Sequence, residues 1–461
     1  MFRLFCYSII QLLSYSVILN AQIPVAPDRY RIEFTDKNYS SFSVNQPQFF
    51  LSERALQRRV KQGIAITSAD LPVSAVYLDS LKQMGFEVLN CSRWFNSAII
   101  RSSPEEIEKL ANVGFIKRNT VVQRENNLET ETKTVKEYTN AVEFKYVSAS
   151  QYYGMAADQI GMLNGQALHE RGFRGKGMFI AVTDGGFYRL NELSGFDSLR
   201  VSGRLRGFKN FTPNSEEPLG SHSHGTNVLS ILAACLPGEL IGSAPDADYL
   251  LLRSEEIEHE YLVEEDNWIA AVEYADSMGV DVINCSLGYT RFDDRLQDHR
   301  YNELDGRTVR ASRAAAMAAA RGIIVCVSVG NEGEINWKGV AVPADADSII
   351  AVGAVYPNGL YAEFSSNGPT VDKRIKPDLT AIGSRTAYQN SMGSIVYGNG
   401  TSYSTPLLAG LIACFWQANP DMTNMEIIET VKRSANRFHA PDSYYGYGIP
   451  DFAKLLEAKK P

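Results

Sequence analysis

Three short segments of this 461-residue chain carry side chains that together can transfer an acyl group. Asp184 lies in Val-Thr-Asp-Gly-Gly, His224 in His-Gly-Thr, and Ser402 in Gly-Thr-Ser-Tyr-Ser-Thr-Pro. A serine hydroxyl is a poor nucleophile at neutral pH and needs a base within hydrogen-bond reach. A carboxylate must orient that base and stabilise its positive charge. The three residue types therefore predict Ser402 as nucleophile, His224 as base and Asp184 as the orienting acid.

The sequence around each of these residues places it at the end of a buried element. Residues 178–182 are a continuous apolar run, typical of a parallel strand buried on both faces, and Asp184 follows it. Open α/β sheets bind ligands at that end of their strands. His224 precedes a predicted helix over 226–236. Ser402 is predicted to open another helix, whose free N–H groups and dipole favour developing negative charge.

A fourth segment makes the pattern specific. Residues 322–330 predict a further buried strand, which delivers Asn331 at its end, between His224 and Ser402 in the chain. Asp, His, Asn and Ser in this order and in these contexts resemble the subtilisin-like serine proteases. The resemblance implies that the Asn331 amide and the Ser402 backbone N–H stabilise an oxyanion. It also implies a three-layer α/β fold, a mostly parallel sheet of about seven strands with helices on both faces.

The resemblance also implies which residues contact the substrate. Residues 281–288 match the family's strand that lines the first specificity pocket. The residues assigned to substrate binding on this basis are Ser286, Leu287, Gly288, Ser328, Gly330 and Glu332. One departure is Ser404, which stands where the family most often has alanine and adds a hydroxyl close to Ser402.

Each motif by itself has a simpler explanation as a turn or a surface loop, because short motifs give many false positives. Six ordered matches in suitable contexts leave little room for coincidence. The other histidines, His169, His259, His299 and His439, lie in no such pattern and are interpreted as packing or surface residues. His222 is a nearer competitor, but only His224 carries the Gly-Thr that starts the helix. The rival functions are a catalytically silent binding protein and a narrow processing enzyme.

The N-terminal part of the chain predicts export and processing. Residues 1–21 have a basic start, an apolar run and Ala21 at their end, typical of a signal peptide, and polar residues interrupting the run argue against a membrane anchor. Residues 22–123 are predicted to form an α+β unit of antiparallel strands, including a last strand at 115–122. This unit resembles the propeptide of subtilisin-like zymogens, and an unrelated binding module is the alternative.

The remaining boundaries follow from composition. Residues 124–150 are polar and without periodicity, which predicts a linker that contains the processing site. Residues 151–461 are predicted to form the peptidase domain, where strands and helices alternate as in a parallel sheet. We expect a secreted or periplasmic serine endopeptidase, made as a self-processing zymogen. Its expected partners are protein or peptide substrates and its own propeptide as intramolecular inhibitor.

Charge and cysteine content exclude other classes. The net charge of −8 argues against nucleic acid as a partner. We expect no membrane insertion after signal removal, and a monomer. Four of the six cysteines fall in predicted strands and helices and are interpreted as small core residues: Cys235, Cys285, Cys326 and Cys414. No cysteine pair has the spacing of a zinc site.

The predicted chemistry needs no cofactor. The resemblance implies that structural calcium is possible, although no dense Asp/Asn loop with ligand spacing is present. Seven acids lie between Leu252 and Trp268: Glu255, Glu256, Glu258, Glu260, Glu264, Glu265 and Asp266. The resemblance places this stretch beside the acyl-side subsites, with Glu332 near the mouth of the first pocket, which predicts a preference for Lys or Arg in the substrate. The alternative is a solvated acidic face that does not touch substrate.

Overall fold

The computed structural model describes residues 24–26, 28–117, 151–212, 219–220, 222–334 and 339–457. The predicted signal peptide at 1–21 and the predicted linker at 124–150 lie outside these residues. Within the described ranges, no helix combines the length and the apolar character needed to cross a bilayer. The described residues form an N-terminal unit with a small sheet and a larger unit with a large one.

The N-terminal unit is an antiparallel sheet with helices, as predicted. Its elements are β1 (Pro24–Ala26), β2 (Arg29–Glu33), α1 (Glu53–Lys61), α2 (Ala75–Gln83), β3 (Glu87–Ser92), β4 (Ser97–Arg101) and α3 (Pro104–Ile107). The strand order is β1-β2-β4-β3, and each pair is antiparallel. Ile32, Leu81 and Ile100 are fully buried in its core. Ser103 caps α3 by accepting a hydrogen bond from the Glu106 N–H at 3.2 Å.

The last strand predicted for this unit, at 115–122, is described only at 115–117, where it pairs with the end of β2: the Thr35 N–H donates to the Phe115 carbonyl at 3.0 Å and the Lys117 N–H to the Glu33 carbonyl at 2.8 Å. Ile116 forms only an isolated bridge with Phe34. The chain is still turning at this point, because the Ile116 N–H donates to the Val113 carbonyl at 3.0 Å. Residues 118–122 lie outside the described ranges.

The larger unit is built on a seven-stranded parallel sheet. Its strands, with two short hairpins, are β5 (Phe179–Asp184), β6 (Leu205–Asn210), β7 (Cys235–Leu236), β8 (Leu240–Ile241), β9 (Asp248–Arg253), β10 (Val282–Cys285), β11 (Ile324–Ser328), β12 (Ile350–Val355), β13 (Leu379–Ile382), β14 (Thr386–Gln389) and β15 (Ile395–Gly398). The order in the large sheet is β13-β12-β11-β10-β5-β9-β6, with all pairs parallel. Later strands add on both sides of β5. Such a reversal of strand order opens a crevice at the carboxyl ends of the strands.

Helices cover both faces of this sheet, which confirms the predicted three layers. They are α4 (Ala157–Met162), α5 (Gln166–Glu170), α6 (Asp197–Val201), α7 (His224–Ala233), α8 (Val263–Met278), α9 (Arg310–Ala319), α10 (Thr401–Ala418), α11 (Asn424–Ser434) and α12 (Phe452–Glu457). Ile180 and Val182 of β5 pack in one core with α7 and α10, whereas Phe179 and Ala181 pack in a second core with α8 and α9. This alternation follows from the two-residue period of a strand.

Arginines of the N-terminal unit converge on one acid of the larger unit. Asp276, in the last turn of α8, is fully buried. Its carboxylate accepts hydrogen bonds from Arg58 at 2.5 Å, Arg59 at 2.7 Å and Arg93 at 2.6 Å. Burial lowers the pKa of Arg58 although Asp276 opposes that shift. Buried cations need such a partner, so this carboxylate is a main electrostatic link between the two units.

We expect Asp276→Asn to lower the free energy of unfolding of the full chain by about 3–5 kcal/mol, because it leaves buried arginines without their counter-charge. Urea unfolding of the chain carrying Ser402→Ala, followed by fluorescence, measures this change. The matched control is Asp79→Asn, whose partner Lys82 and own side chain are both more than half exposed, so the loss should stay below about 1 kcal/mol. Equal losses in the two variants would contradict a special role for Asp276.

Candidate active site

Asp184 is the fully buried last residue of β5. Its Oδ1 accepts a hydrogen bond from the Gly185 N–H at 2.8 Å, and both carboxylate oxygens lie 2.9–3.0 Å from Nδ1 of His224. A buried carboxylate needs such donors, because water no longer solvates it. The pairing fixes Nδ1 of His224 as the donor and leaves Nε2 to act as a base.

His224 is the first residue of α7, so the helix begins two residues earlier than predicted. The next residue, Gly225, leaves no room for a side chain. A Cβ on Gly225 would lie 2.4 Å from the Gly186 carbonyl oxygen and 2.8 Å from Cβ of Asp184. The Thr226 hydroxyl donates to the Tyr188 carbonyl at 2.9 Å and anchors the first turn. Any side chain at Gly225 would therefore push the histidine away from its carboxylate.

Ser402 is the second residue of α10 and is partly exposed. Its hydroxyl donates to the Ser286 carbonyl at 3.2 Å, and the Ser286 hydroxyl donates to the Ser402 carbonyl at 3.0 Å. The His224 ring faces that of the adjacent Tyr403, with 6.4 Å between centroids. To transfer its proton, the Ser402 hydroxyl must exchange the Ser286 carbonyl for Nε2 of His224.

Asn331 follows the carboxyl end of β11 and is held by the residue before the serine. Its Oδ1 accepts from the Thr401 N–H at 2.9 Å and from the Thr401 hydroxyl at 3.0 Å. Since a backbone N–H must meet an acceptor, this fixes Nδ2 as the free donor end. Nδ2 and the Ser402 backbone N lie 3.9 and 3.7 Å from the position that a Cβ of Gly400 would occupy. Two N–H donors therefore converge beside the serine.

The residues assigned to substrate binding gather at the same end of the sheet. Ser286, Leu287 and Gly288 follow β10, while Ser328 ends its neighbour β11, with Gly330 after it. The sixth residue, Glu332, lies in the loop that follows β11, near the same end of the sheet. The contact of these six residues with substrate stays a prediction.

Glu332 has an internal partner. Its carboxylate accepts a hydrogen bond from the Ser366 hydroxyl at 2.7 Å, and its N–H donates to the same hydroxyl at 3.0 Å. Ser404, the departure from the family pattern, is fully buried and donates to the Thr401 carbonyl at 3.0 Å. The extra hydroxyl is thus satisfied within α10 and is not directed at Ser402.

His169 has a structural role, in agreement with the sequence interpretation. Nδ1 and Nε2 of that buried ring lie 3.0 Å from the Tyr153 hydroxyl and from the Ser243 carbonyl, and burial lowers its pKa to about 4. His222 is partly buried, and its Nδ1 has no hydrogen-bond partner among the described residues. Burial and the charge of His224 lower the pKa of His222.

Six of the seven acids before and within α8 are buried or half-buried, and only Glu258 among them is exposed, so the stretch as a whole is not a solvated face. Glu264, Glu265 and Asp266 are 1%, 1% and 5% exposed. Asp266 pairs with Arg31 of the N-terminal unit at 2.5 Å, and Glu256 pairs with Arg29. The sequence offered no signal for these pairings, which join residues more than two hundred positions apart. The predicted preference for basic substrates stays a prediction.

Sequence comparisons identify the family to which this chain is related. Residues 175–448 match the subtilase family, and residues 29–140 match the peptidase S8 propeptide domain of Bacteroidota. The serine protease AprX of Bacillus subtilis (strain 168) is 31% identical over 318 residues, which cover 62% of this chain and 66% of that protease. Subtilisin E of the same organism is 30% identical over 329 residues, covering 69% of this chain and 76% of that enzyme.

A solved structure shares the fold. The crystal structure of MycP1 from Mycobacterium smegmatis has a TM-score of 0.53 at 21% identity, covering 72% of this chain and 90% of MycP1. The fold, the site and these matches together define a serine-type endopeptidase that carries a propeptide domain. The chain belongs to the subtilase family.

We expect the rate of peptide hydrolysis to fall on the acid side with an apparent pKa above the ordinary histidine value of about 6.5. Burial alone would lower the pKa of His224, but the charge and hydrogen bond of Asp184 outweigh it and raise that pKa. Initial rates of the processed protein between about pH 4 and about pH 9 measure this. His222→Gln is the matched control and should leave the acid limb in place. An acid-side apparent pKa that shifts in His222→Gln, or full activity at about pH 4, would contradict His224 as the base.

Proposed function

We propose that this protein hydrolyses peptide bonds through Ser402, His224 and Asp184. The observation that carries the proposal is the buried Asp184 carboxylate bound to Nδ1 of His224 at 2.9 Å, beside the serine at the start of α10. Ser402 attacks the peptide carbonyl while Nε2 of His224 takes its proton. His224 then protonates the leaving amine, and Asp184 stabilises the imidazolium between these steps.

The second part of the proposal concerns the tetrahedral intermediate. Nδ2 of Asn331 and the backbone N–H of Ser402 are proposed to donate to its oxyanion. Support comes from their convergence beside Gly400 and from the two Thr401 hydrogen bonds that hold Asn331. Donors fixed before the reaction stabilise charge without reorganising as it develops.

We also propose that the protein is exported and processes itself. The support is a signal-like segment at 1–21 and the propeptide match over residues 29–140. Cleavage within 124–150 would separate the N-terminal unit, which otherwise remains as an intramolecular inhibitor. Protein or peptide substrates, a secreted or periplasmic location and a monomeric state complete this proposal.

The decisive experiment compares the full chain with its Ser402→Ala variant. We expect a fluorophosphonate probe to label the processed protein, and not the variant, because only the serine hydroxyl can form the covalent adduct. We expect the variant to accumulate uncleaved between residues 124 and 150 when no other protease is present. Mass spectrometry identifies both outcomes. Labelling that survives in Ser402→Ala would overturn the assignment of the nucleophile, and normal processing of that variant would overturn self-cleavage.

We expect Asn331→Leu to lower kcat by about 10²–10³-fold with little change in KM, the range known for removal of such a donor in subtilisin. The physical reason is that the donor strengthens its bond only as the oxyanion forms. Steady-state hydrolysis of a peptide substrate measures the effect. Asn358→Leu, in an exposed turn after β12, is the control and should retain kcat. A change confined to KM would contradict the oxyanion role.

A further inference from the structure

Three glutamates converge at the beginning of α8, outside the proposed catalytic groups. Glu255 and Glu260 lie in the loop between β9 and α8, and Glu264 lies in the first turn of α8. One carboxylate oxygen of each lies within 4.8 Å of those of the other two. Glu264 is 1% exposed, whereas the other two are partly buried. We call these three residues the glutamate cluster.

Glu264 is the member whose charge is least compensated. Its Oε1 accepts a hydrogen bond from the Glu256 N–H at 2.7 Å. Its Oε2 is buried and has no hydrogen-bond partner among the described residues. A buried carboxylate oxygen is strongly unfavourable unless it meets a donor, a proton or a metal ion.

Repulsion from the neighbouring glutamates makes the ionised form of Glu264 still less favourable. Burial, and then the charges of Glu255 and Glu260, raise the pKa of Glu264 well above its usual range. Burial, and then the charge of Glu260, raise the pKa of Glu255 to about 8, although it accepts a hydrogen bond from the Tyr289 hydroxyl at 2.6 Å. The three carboxylates therefore repel one another in a poorly solvated place.

Three neighbouring acids of the same stretch differ from Glu264, because each pairs with a cation. Glu256 pairs with Arg29 and Asp266 with Arg31. Glu265 pairs with His299, whose pKa is raised because this carboxylate outweighs the effect of burial. Those arginines and that histidine are thus already bound by other carboxylates.

We propose that Glu255, Glu260 and Glu264 bind a divalent cation of the calcium class. Calcium takes oxygen ligands at about 2.3–2.6 Å, so two ligands of one ion lie at most about 5 Å apart, as in this cluster. Magnesium demands near-octahedral geometry and dehydrates reluctantly, so it usually keeps several waters and is less suited to a site of three protein carboxylates. Zinc favours nitrogen and sulfur, which this cluster lacks. Water completes the six to eight ligands that calcium takes, entering from the exposed side of the cluster.

A basic side chain of a substrate is the rival occupant, since the same stretch was predicted to border the acyl-side subsites. Glu264 argues for the ion, because a group that is 1% exposed is reached by a small ion and not by a substrate side chain. The ion would also support the catalytic strand end. Ser254, next to Glu255, donates its N–H to the Asp184 carbonyl at 3.1 Å.

The test uses the full chain with Ser402→Ala, which avoids self-digestion. Its thermal unfolding midpoint is measured with calcium, with magnesium and with a chelator, and terbium luminescence sensitised by nearby tyrosines reports direct binding. We expect calcium to raise the midpoint by several degrees and to displace terbium. Magnesium should do so less.

Glu264→Gln and Glu260→Gln should each lose the calcium response and the terbium signal. In the presence of chelator, the thermal unfolding midpoint of Glu264→Gln should be no lower than that of the parent chain. The reason is that the substitution removes a carboxylate that the neighbouring glutamates repel. The matched control is Glu265→Gln, the adjacent buried glutamate that pairs with His299, and it should keep the calcium response. If Glu264→Gln does not fold, the partly exposed Glu260→Gln decides.

Two results would overturn the proposal. The first is that calcium does not change the unfolding midpoint of the parent chain and that terbium gives no sensitised luminescence. If peptide profiling of the processed protein then reveals a preference for basic residues, the rival occupant is favoured. The second is a response that survives in both Glu260→Gln and Glu264→Gln, which would locate the ion elsewhere.

Discussion

The pairing of Asp184 with His224 is the interaction on which the architecture of this site depends. A fully buried carboxylate is unfavourable unless donors surround it, and here the donors come from the backbone of Gly185 and from the imidazole. The imidazole reaches the carboxylate because α7 starts at His224 and because Gly225 lets the helix approach β5 closely. The reversal of strand order at β5 then brings the ends of β10 and β11, the latter followed by Asn331, to the same crevice. The start of α10 places Ser402 there, next to the Ser286 carbonyl that follows β10.

Arginines of the N-terminal unit neutralise buried carboxylates of the larger unit. Arg58, Arg59 and Arg93 surround Asp276 at one end of α8, and Arg31 pairs with Asp266 at the other. If the N-terminal unit departs after the proposed cleavage, these carboxylates would lose their arginine partners and become solvated by water. The same contacts therefore stabilise the joined form strongly and leave the separated form with an acidic helix, whose first-turn acids the helix dipole still favours. This arrangement would suit the cleavage proposed above, in which a firmly bound N-terminal unit is later released.

The sequence predicted the parts of the molecule that depend on local pattern. The apolar run before Asp184 predicted β5, and the Gly-Thr after His224 predicted the helix that the structure shows as α7. Helix boundaries were less accurate: α7 begins at His224 rather than at residue 226. No local pattern could reveal that Asp276 would meet arginines from about two hundred residues earlier. Such pairs arise from the docking of two units and not from the periodicity of either.

Neighbouring residues on one helix turn can have separate roles because successive side chains point about 100° apart. At the start of α10, Thr401 turns toward Asn331 and fixes its amide, while Ser402 remains at the crevice. Ser404 turns back to the Thr401 carbonyl, which keeps its hydroxyl away from the reacting group. At the start of α8 the same geometry sends Glu265 to His299 and Asp266 to Arg31, and leaves Glu264 with Glu255 and Glu260. A run of acids that looks uniform in the sequence is thus divided by helix geometry into ion pairs that join elements and one cluster, in which Oε2 of Glu264 has no hydrogen-bond partner among the described residues.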